Sequence, residues 1–157
     1  MLARQKLSYI LINVVGGIAV LGSYVYGFLQ YPDAVGELWG GVPESLLGLY
    51  SINMLLAATG YLLVFAYVLK YVSADCRAGN GGLLLERLNA LTAVILFCSA
   101  LWMPLSFALL VANNLDLWWC IRAVLFGTGA GALLTAHQLY TYAAIRNFML
   151  TLSLCGY

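Results

Sequence analysis

Few side chains in this sequence have the chemistry of a catalyst, and those few lie within long apolar stretches. The chain holds a single histidine, His137, and lacks the H-E-x-x-H, G-x-S-x-G and Walker motifs of common hydrolases and nucleotide-driven enzymes. Because an imidazole can accept and donate a proton, His137 is the candidate acid or base of an intramembrane enzyme acting on a lipophilic substrate. The alternative is a hydrogen bond between helices, with Asn13, Thr92 or Thr141 nearby.

The four cysteines, Cys76, Cys98, Cys120 and Cys155, include no C-x-x-C pair. Thiol exchange needs two adjacent thiols, and zinc needs three or four ligands that converge on one point. The cysteines and His137 fall at different depths of the predicted helices. We therefore expect no metal site and no other cofactor.

A second group of polar and aromatic side chains lies in the opposite half of the predicted helices from His137. Asn53, Trp102 and Arg122 share this half, and the connection before the second helix supplies Trp39 and Glu44. Polar groups are costly in hydrocarbon, so those that face the interior of a bundle are candidate binding residues. They define the hypothesis of a small-molecule or lipid binding or transport protein, with a cavity beneath Trp39.

Arg122 has two interpretations of its own. Its long apolar stem can carry the guanidinium up to the headgroups, as is common near helix ends. Alternatively, the guanidinium pairs with Glu44 or Glu37 and holds the connecting loop over the bundle. Neither interpretation makes Arg122 catalytic.

Small residues recur at helical spacing in two of the apolar stretches. Gly127, Gly131 and Thr135 are four residues apart, the small-x-x-x-small pattern that lets membrane helices approach closely. Gly16 and Gly17 provide small residues in the first stretch. These glycines predict a close contact between the first and fourth helices, within the chain or between chains.

The elements that must position these residues are membrane-spanning helices. Hydrophobic residues make up 64% of the chain and charged residues 8%, against about a quarter charged in soluble proteins. A helix needs about 20 apolar residues to cross a bilayer, and its backbone amides must be paired within the segment. Four such runs predict helices over residues 7–29, 46–69, 88–112 and 117–145. The predicted fold is all-α, a polytopic membrane protein whose 157 residues form one four-helix bundle.

The distribution of charge predicts how the bundle is oriented. Basic residues collect at the end with the two termini: Arg4, Lys6, Lys70, Arg77, Arg87 and Arg146. Acidic residues mark the other end: Asp33, Glu37, Glu44 and Asp116. Since short cytoplasmic loops are enriched in lysine and arginine, both termini are expected on the cytoplasmic side.

The same composition narrows the function classes. A net charge of +1 is too small for a phosphate-binding surface, so we expect no nucleic-acid partner. The expected partners are membrane lipids and either copies of this chain or other membrane proteins. The leading hypothesis is a non-catalytic protein that associates within the bilayer, as a homo-oligomer or an accessory subunit. Ligand binding or transport and intramembrane catalysis are the alternatives.

Overall fold

A computed structural model describes the backbone of residues 2–40, 42–73, 75–77, 82–112 and 114–155. Side chains are described for the same residues apart from 2–3, 34–36 and 145–155. The Gly79–Gly82 stretch lies almost wholly outside the described residues, as do the side chains of Arg146 and Cys155.

The described chain is helical in the four places that the sequence predicts. The helices are α1 (Leu2–Gln30), α2 (Glu44–Tyr71), α3 (Leu84–Ala112) and α4 (Leu115–Cys155). A 3-10 helix, Pro32–Trp39, joins α1 to α2. Each α-helix contains a segment of 27 to 30 residues that is long and apolar enough to cross a membrane. The observed helices extend several residues beyond the predicted apolar runs, because polar residues add turns at their ends.

Local sequence explains where the helices begin. Pro43, whose φ is fixed, precedes α2, and Glu44 follows in the first turn, where a carboxylate meets the positive end of the helix. At the start of α4, the side chain of Asn114 accepts a hydrogen bond from the backbone N–H of Asp116 at 2.9 Å. Such a cap satisfies an amide that has no partner within the helix.

Helix α3 is the central helix, and α1 packs along one side of it. Gly16 of α1 lies against Leu96 of α3. Further along, Gly27 lies against Phe107, so α1 and α3 run parallel. The absence of a side chain at each glycine lets the α1 backbone approach these two large residues.

Helix α4 packs along another side of α3 and runs antiparallel to it. Gly127 lies against Cys98, and Gly131 lies against Ile95. Within the described chain, the glycines of α1 and α4 therefore contact α3 rather than each other, and a contact between chains stays a prediction. Both glycine-bearing helices pack against α3, where Leu96, Cys98 and Ile95 face Gly16, Gly127 and Gly131. At the fourth, Gly17, an added Cβ would meet nothing within 4 Å.

Among the described residues, the hydrogen bonds and ring contacts of α2 with the other α-helices lie in its second half. Phe65 stacks on Tyr9 of α1 at 5.7 Å, and the ammonium of Lys6 donates to the carbonyl oxygen of Leu69 at 3.2 Å. In the first half of the helix, every residue from 48 to 59 is exposed. The first half of α2 therefore stands away from α1, α3 and α4.

All four helices meet at one end of the molecule. The buried core there consists of Tyr9, Val68, Val72, Leu84, Leu85 and Leu88, with Leu139 and Tyr142 of α4 packed against it. We call this end, which holds the start of α1 and the α2–α3 connection, the terminal end. The opposite end, with the 3-10 helix and the α3–α4 turn, is the 3-10 end.

The 3-10 helix is anchored to α3 at one side and to α2 at the other. Tyr31 stacks on Phe107 with ring centroids 5.0 Å apart, and Trp39 meets the edge of Tyr50 at 5.7 Å. Gly40 ends the element with a φ of 52°, a left-handed conformation that glycine adopts without strain.

Candidate functional site

The main polar cluster of the described residues joins α1, α2 and α3 in the terminal half. The hydroxyl of Tyr61 donates to Oδ1 of Asn13 at 2.5 Å, and Nδ2 of Asn13 donates to the carbonyl oxygen of Tyr9 at 2.7 Å. The phenol of Tyr9 is in hydrogen-bonding contact with the side chains of Asn13 and Thr92. Tyr9 and Thr92 are each only 3% exposed. We call Tyr9, Asn13, Tyr61 and Thr92 the polar cluster.

The polar cluster holds α2 against the pair formed by α1 and α3. Its members are uncharged donors and acceptors that satisfy one another, the arrangement by which polar side chains link membrane helices. Each such bond contributes about 0.6 kcal/mol on average in a bilayer. The polar cluster is therefore suited to fixing helix positions.

A second polar contact lies one helical turn nearer the terminal end. Nδ2 of Asn89 donates to the side-chain oxygen of Gln5 at 3.0 Å and to the Gln5 carbonyl oxygen at 3.3 Å. Asn89 is 8% exposed, and its Oδ1 has no hydrogen-bond partner among the described atoms. An unpaired buried acceptor costs about 1–3 kcal/mol, so this contact is only partly satisfied.

The described cysteines are Cys76, Cys98 and Cys120, and all three are free thiols. The thiol of Cys76 donates to the Tyr142 hydroxyl at 3.3 Å, and Cys98 fills the space beside Gly127. Within the described residues, no three His, Cys, Asp or Glu side chains lie close enough together to hold a metal ion.

The five residues predicted to line a ligand cavity occupy separate surroundings. Trp102 is partly buried and tilts against Tyr24 of α1 at 5.9 Å. Trp39 packs on Tyr50 of α2. Asn53 and Glu44 are exposed on the first half of α2. In the part of the chain that the structure describes, no hydrogen bond, ion pair or ring contact joins one of the five to another.

Arg122, the fifth of these residues, is exposed on α4 and lies over an indole ring. Its guanidinium carbon is 4.0 Å from the centroid of Trp118, a cation–π contact. Across the described side chains, no ion pair joins Arg122 to Glu44 or Glu37. By helical spacing, Arg122 lies on the opposite face of α4 from the glycines that contact α3.

Two open grooves lie near the 3-10 end, and both involve α4. One, of about 420 Å³, is lined by Leu109, Leu110, Asn114, Leu115 and Trp118. The other, of about 590 Å³, is lined by Trp119, Arg122, Ala123, Leu125 and Phe126. Of the five predicted cavity residues, only Arg122 lines either groove.

His137 lies in the terminal half of α4, but its side chain is exposed and does not join the polar cluster. The backbone oxygen of His137 accepts from the Thr141 hydroxyl at 3.0 Å, which is a bond within α4. Among the described residues, neither Asn13 nor Thr92, the expected neighbours, bonds to the imidazole, because Asn13 bonds to Tyr61 of α2 and Thr92 bonds to Tyr9 of α1.

Tyr9, which joins Asn13 to Thr92, was not among the predicted site residues. The structure buries Tyr9 because it lies four residues before Asn13, on the same face of α1. Gln5 lies a further four residues back, so α1 carries a polar stripe at helical spacing. The spacing of Gln5, Tyr9 and Asn13 is a sequence pattern that predicts a buried polar face on α1.

The architecture is all-helical, with four apolar helices compatible with a membrane helical bundle. No protein family, curated protein or solved structure matches this chain. Any assignment of function therefore rests on the residues and contacts described above.

Proposed function

We propose that this chain is a non-catalytic, four-span integral membrane protein that associates laterally within the bilayer. It acts either as a homo-oligomer or as an accessory subunit of a larger membrane complex. The observation that carries this proposal is the exposed amide of Asn53, on the half of α2 that stands away from the other helices.

The depth of Asn53 makes its exposure costly in a lone chain. At 1.5 Å of rise per residue, Asn53 lies about 7 Å from the middle of α2, well inside a hydrocarbon half-thickness of about 15 Å. Within the described chain, nothing hydrogen-bonds its side chain. An unpaired amide costs about 1–3 kcal/mol on protein scales, and a neighbouring helix that supplies a polar group removes that cost.

The first half of α2 has a surface that a second helix fits. All residues from 48 to 59 are exposed, and a Cβ added at Gly48 would meet nothing within 4 Å. A small residue on an open helix face permits close backbone approach. In contrast, Gly127 and Gly131 are already covered by α3, so the association surface is assigned to α2 rather than to α4.

The proposed orientation follows from the charges at the two ends. Among the described residues, the terminal end carries five basic and two acidic residues, and the 3-10 end carries one basic and four acidic residues: Arg4, Lys6, Lys70, Arg77 and Arg87 with Asp75 and Glu86, against Arg122 with Asp33, Glu37, Glu44 and Asp116. The excess of basic residues in short loops favours a cytoplasmic terminal end, with both termini on that side.

An Asn53→Leu variant tests the association. The measurement is the fraction of dimers or larger assemblies, by single-molecule photobleaching of labelled chains in liposomes at several protein-to-lipid ratios. Proteins that co-purify from native membranes are identified in parallel. We expect the variant to dissociate from its partner about 3- to 20-fold more readily, the range for one interhelical hydrogen bond.

Thr59→Val is the matched control on the same helix. The hydroxyl of Thr59 donates to the Leu55 carbonyl oxygen within α2, so its removal leaves no partner on another chain unpaired. We expect this variant to assemble like the unmodified protein. A protein that is monomeric and unaccompanied in liposomes and native membranes, or an Asn53→Leu variant that assembles normally, contradicts the proposal.

A further inference from the structure

One face of α4 carries an arginine between aromatic residues and an apolar groove. Trp118 and Trp119 lie one turn nearer the 3-10 end than Arg122, and Leu125 and Phe126 lie one turn nearer the membrane middle. All five side chains are exposed, Leu125 at 50% and Phe126 at 79%. We call these five residues the Arg122 strip.

The guanidinium of Arg122 is held in place but keeps its charge available. It lies 4.0 Å from the Trp118 ring centroid, and Trp119 meets Trp118 edge-on at 4.7 Å. No carboxylate among the described side chains pairs with it. Because side chains on a helix tilt toward its N-terminus, Arg122 extends toward the 3-10 end, which is the nearer membrane surface.

The depth of the strip identifies the chemistry of an occupant. Arg122 lies about 11 Å from the middle of the span Leu115–Ala144, and the two tryptophans lie about 16–17 Å from it. The hydrocarbon boundary is about 15 Å from the bilayer centre, so the extended guanidinium reaches the level of the lipid phosphates. Phosphate is the abundant anion at that level, and arginine binds it through two parallel hydrogen bonds.

The geometry points to a binding site for one phospholipid of net negative charge on the Arg122 strip. Its phosphate pairs with Arg122, and an acyl chain lies along the groove of about 590 Å³ lined by Trp119, Leu125 and Phe126. A lipid whose headgroup carries no ammonium is preferred, because an ammonium competes with Arg122 for the phosphate. This site is separate from the α2 surface, so it does not depend on the proposed association.

Lipid titration of the full-length protein in detergent tests the site. After delipidation, the protein is titrated with phosphatidylglycerol, phosphatidylcholine, or diacylglycerol of the same acyl chains. Bound lipid is counted by native mass spectrometry, and the melting temperature is recorded. We expect phosphatidylglycerol to bind about tenfold more tightly than diacylglycerol, since one charge-assisted hydrogen bond contributes at least about 1.5 kcal/mol.

Variants of the strip separate the phosphate contact from the chain contact. Arg122→Gln is expected to lose about tenfold in affinity for phosphatidylglycerol while its binding of diacylglycerol is unchanged. Trp118→Leu, which removes the ring beneath the guanidinium, is expected to lose about two- to fivefold. Arg4→Gln is the charge-matched control at the other end of the molecule, and its affinity should be unchanged. Circular dichroism establishes that each variant is folded.

Three results would overturn the site. The first is an Arg122→Gln variant that binds phosphatidylglycerol as well as the unmodified protein. The second is inorganic phosphate that raises the melting temperature as much as the lipid does, which indicates a free-anion site. The third is that position 122 cross-links to an acidic residue of another copy of the protein and not to lipid, which indicates a protein interface.

Discussion

The sharpest prediction concerns two adjacent glycines in α1 that the sequence does not distinguish. A Cβ added at Gly16 would lie 2.6 Å from Cδ1 and 2.8 Å from Cβ of Leu96. A Cβ added at Gly17 would meet nothing within 4 Å. The same substitution at neighbouring positions is therefore expected to have opposite effects.

The expected change in the free energy of unfolding follows from these distances. Ordinary contacts between carbon atoms are about 3.5–4.0 Å, so α1 and α3 must separate by about 1 Å to accept Ala at position 16. A new rotamer of Leu96 cannot relieve the contact with its Cβ, which the backbone fixes. Overpacking of this kind costs about 1–3 kcal/mol, and the helix propensity of alanine returns at most about 1 kcal/mol. We expect Gly16→Ala to destabilise by about 0–2 kcal/mol, and Gly17→Ala to be neutral or stabilising by up to about 1 kcal/mol.

The assay is reversible unfolding in mixed micelles, with increasing SDS and helicity by circular dichroism as the readout. A Leu96→Ala background provides an internal check, because it removes the Cδ1 contact at 2.6 Å and leaves the Cβ contact. Gly16→Ala should cost less in that background than in the unmodified chain. Equal effects of the Gly16→Ala and Gly17→Ala variants would refute the packing of α1 on α3 described above.

Two further predictions concern the attachment of α2 and the orientation of the chain. Tyr61→Phe removes the hydroxyl that donates to Asn13, so it should lower the free energy of unfolding by about 0.6–1.7 kcal/mol in the same assay. Tyr71→Phe, at an exposed position of α2, is the control and should change that free energy by less than about 0.5 kcal/mol. Equal effects of the two variants would contradict a role for the polar cluster. Tags at both termini should resist protease added outside sealed cells, and a tag between α1 and α2 should be cleaved. Cleavage of either terminal tag would contradict the proposed orientation.

The number and type of helices were predictable because a long apolar run is a strong, local signal for a helix of spanning length. A run of about 20 apolar residues is sufficient to specify a spanning helix, whatever its neighbours are. The four runs accordingly match α1 to α4. The predicted ends were short because polar and charged residues, such as Arg4 and Lys70, continue the helices beyond the apolar core.

The pairing of the helices was not predictable in the same way. Gly16 and Gly17 are equivalent in the sequence, yet only Gly16 faces α3. The pattern at Gly127 and Gly131 indicates a close helix contact but does not identify the helix that makes it. The partner depends on the large side chains Leu96 and Ile95, which lie on different faces of α3.

The same distinction between predictable and unpredictable features applies to the candidate sites. Composition and helical spacing alone determined the apolar spans, the charge difference between the two ends, and the positions of Asn53, Arg122 and His137 along their helices. Only the tertiary structure decided that Tyr9 is buried beside the half-buried Asn13, and that Arg122 lies on Trp118 rather than beside a carboxylate. The physical reason is that depth in the membrane is set by position along one helix. Which groups meet depends on rotation and tilt, which are fixed by packing between helices.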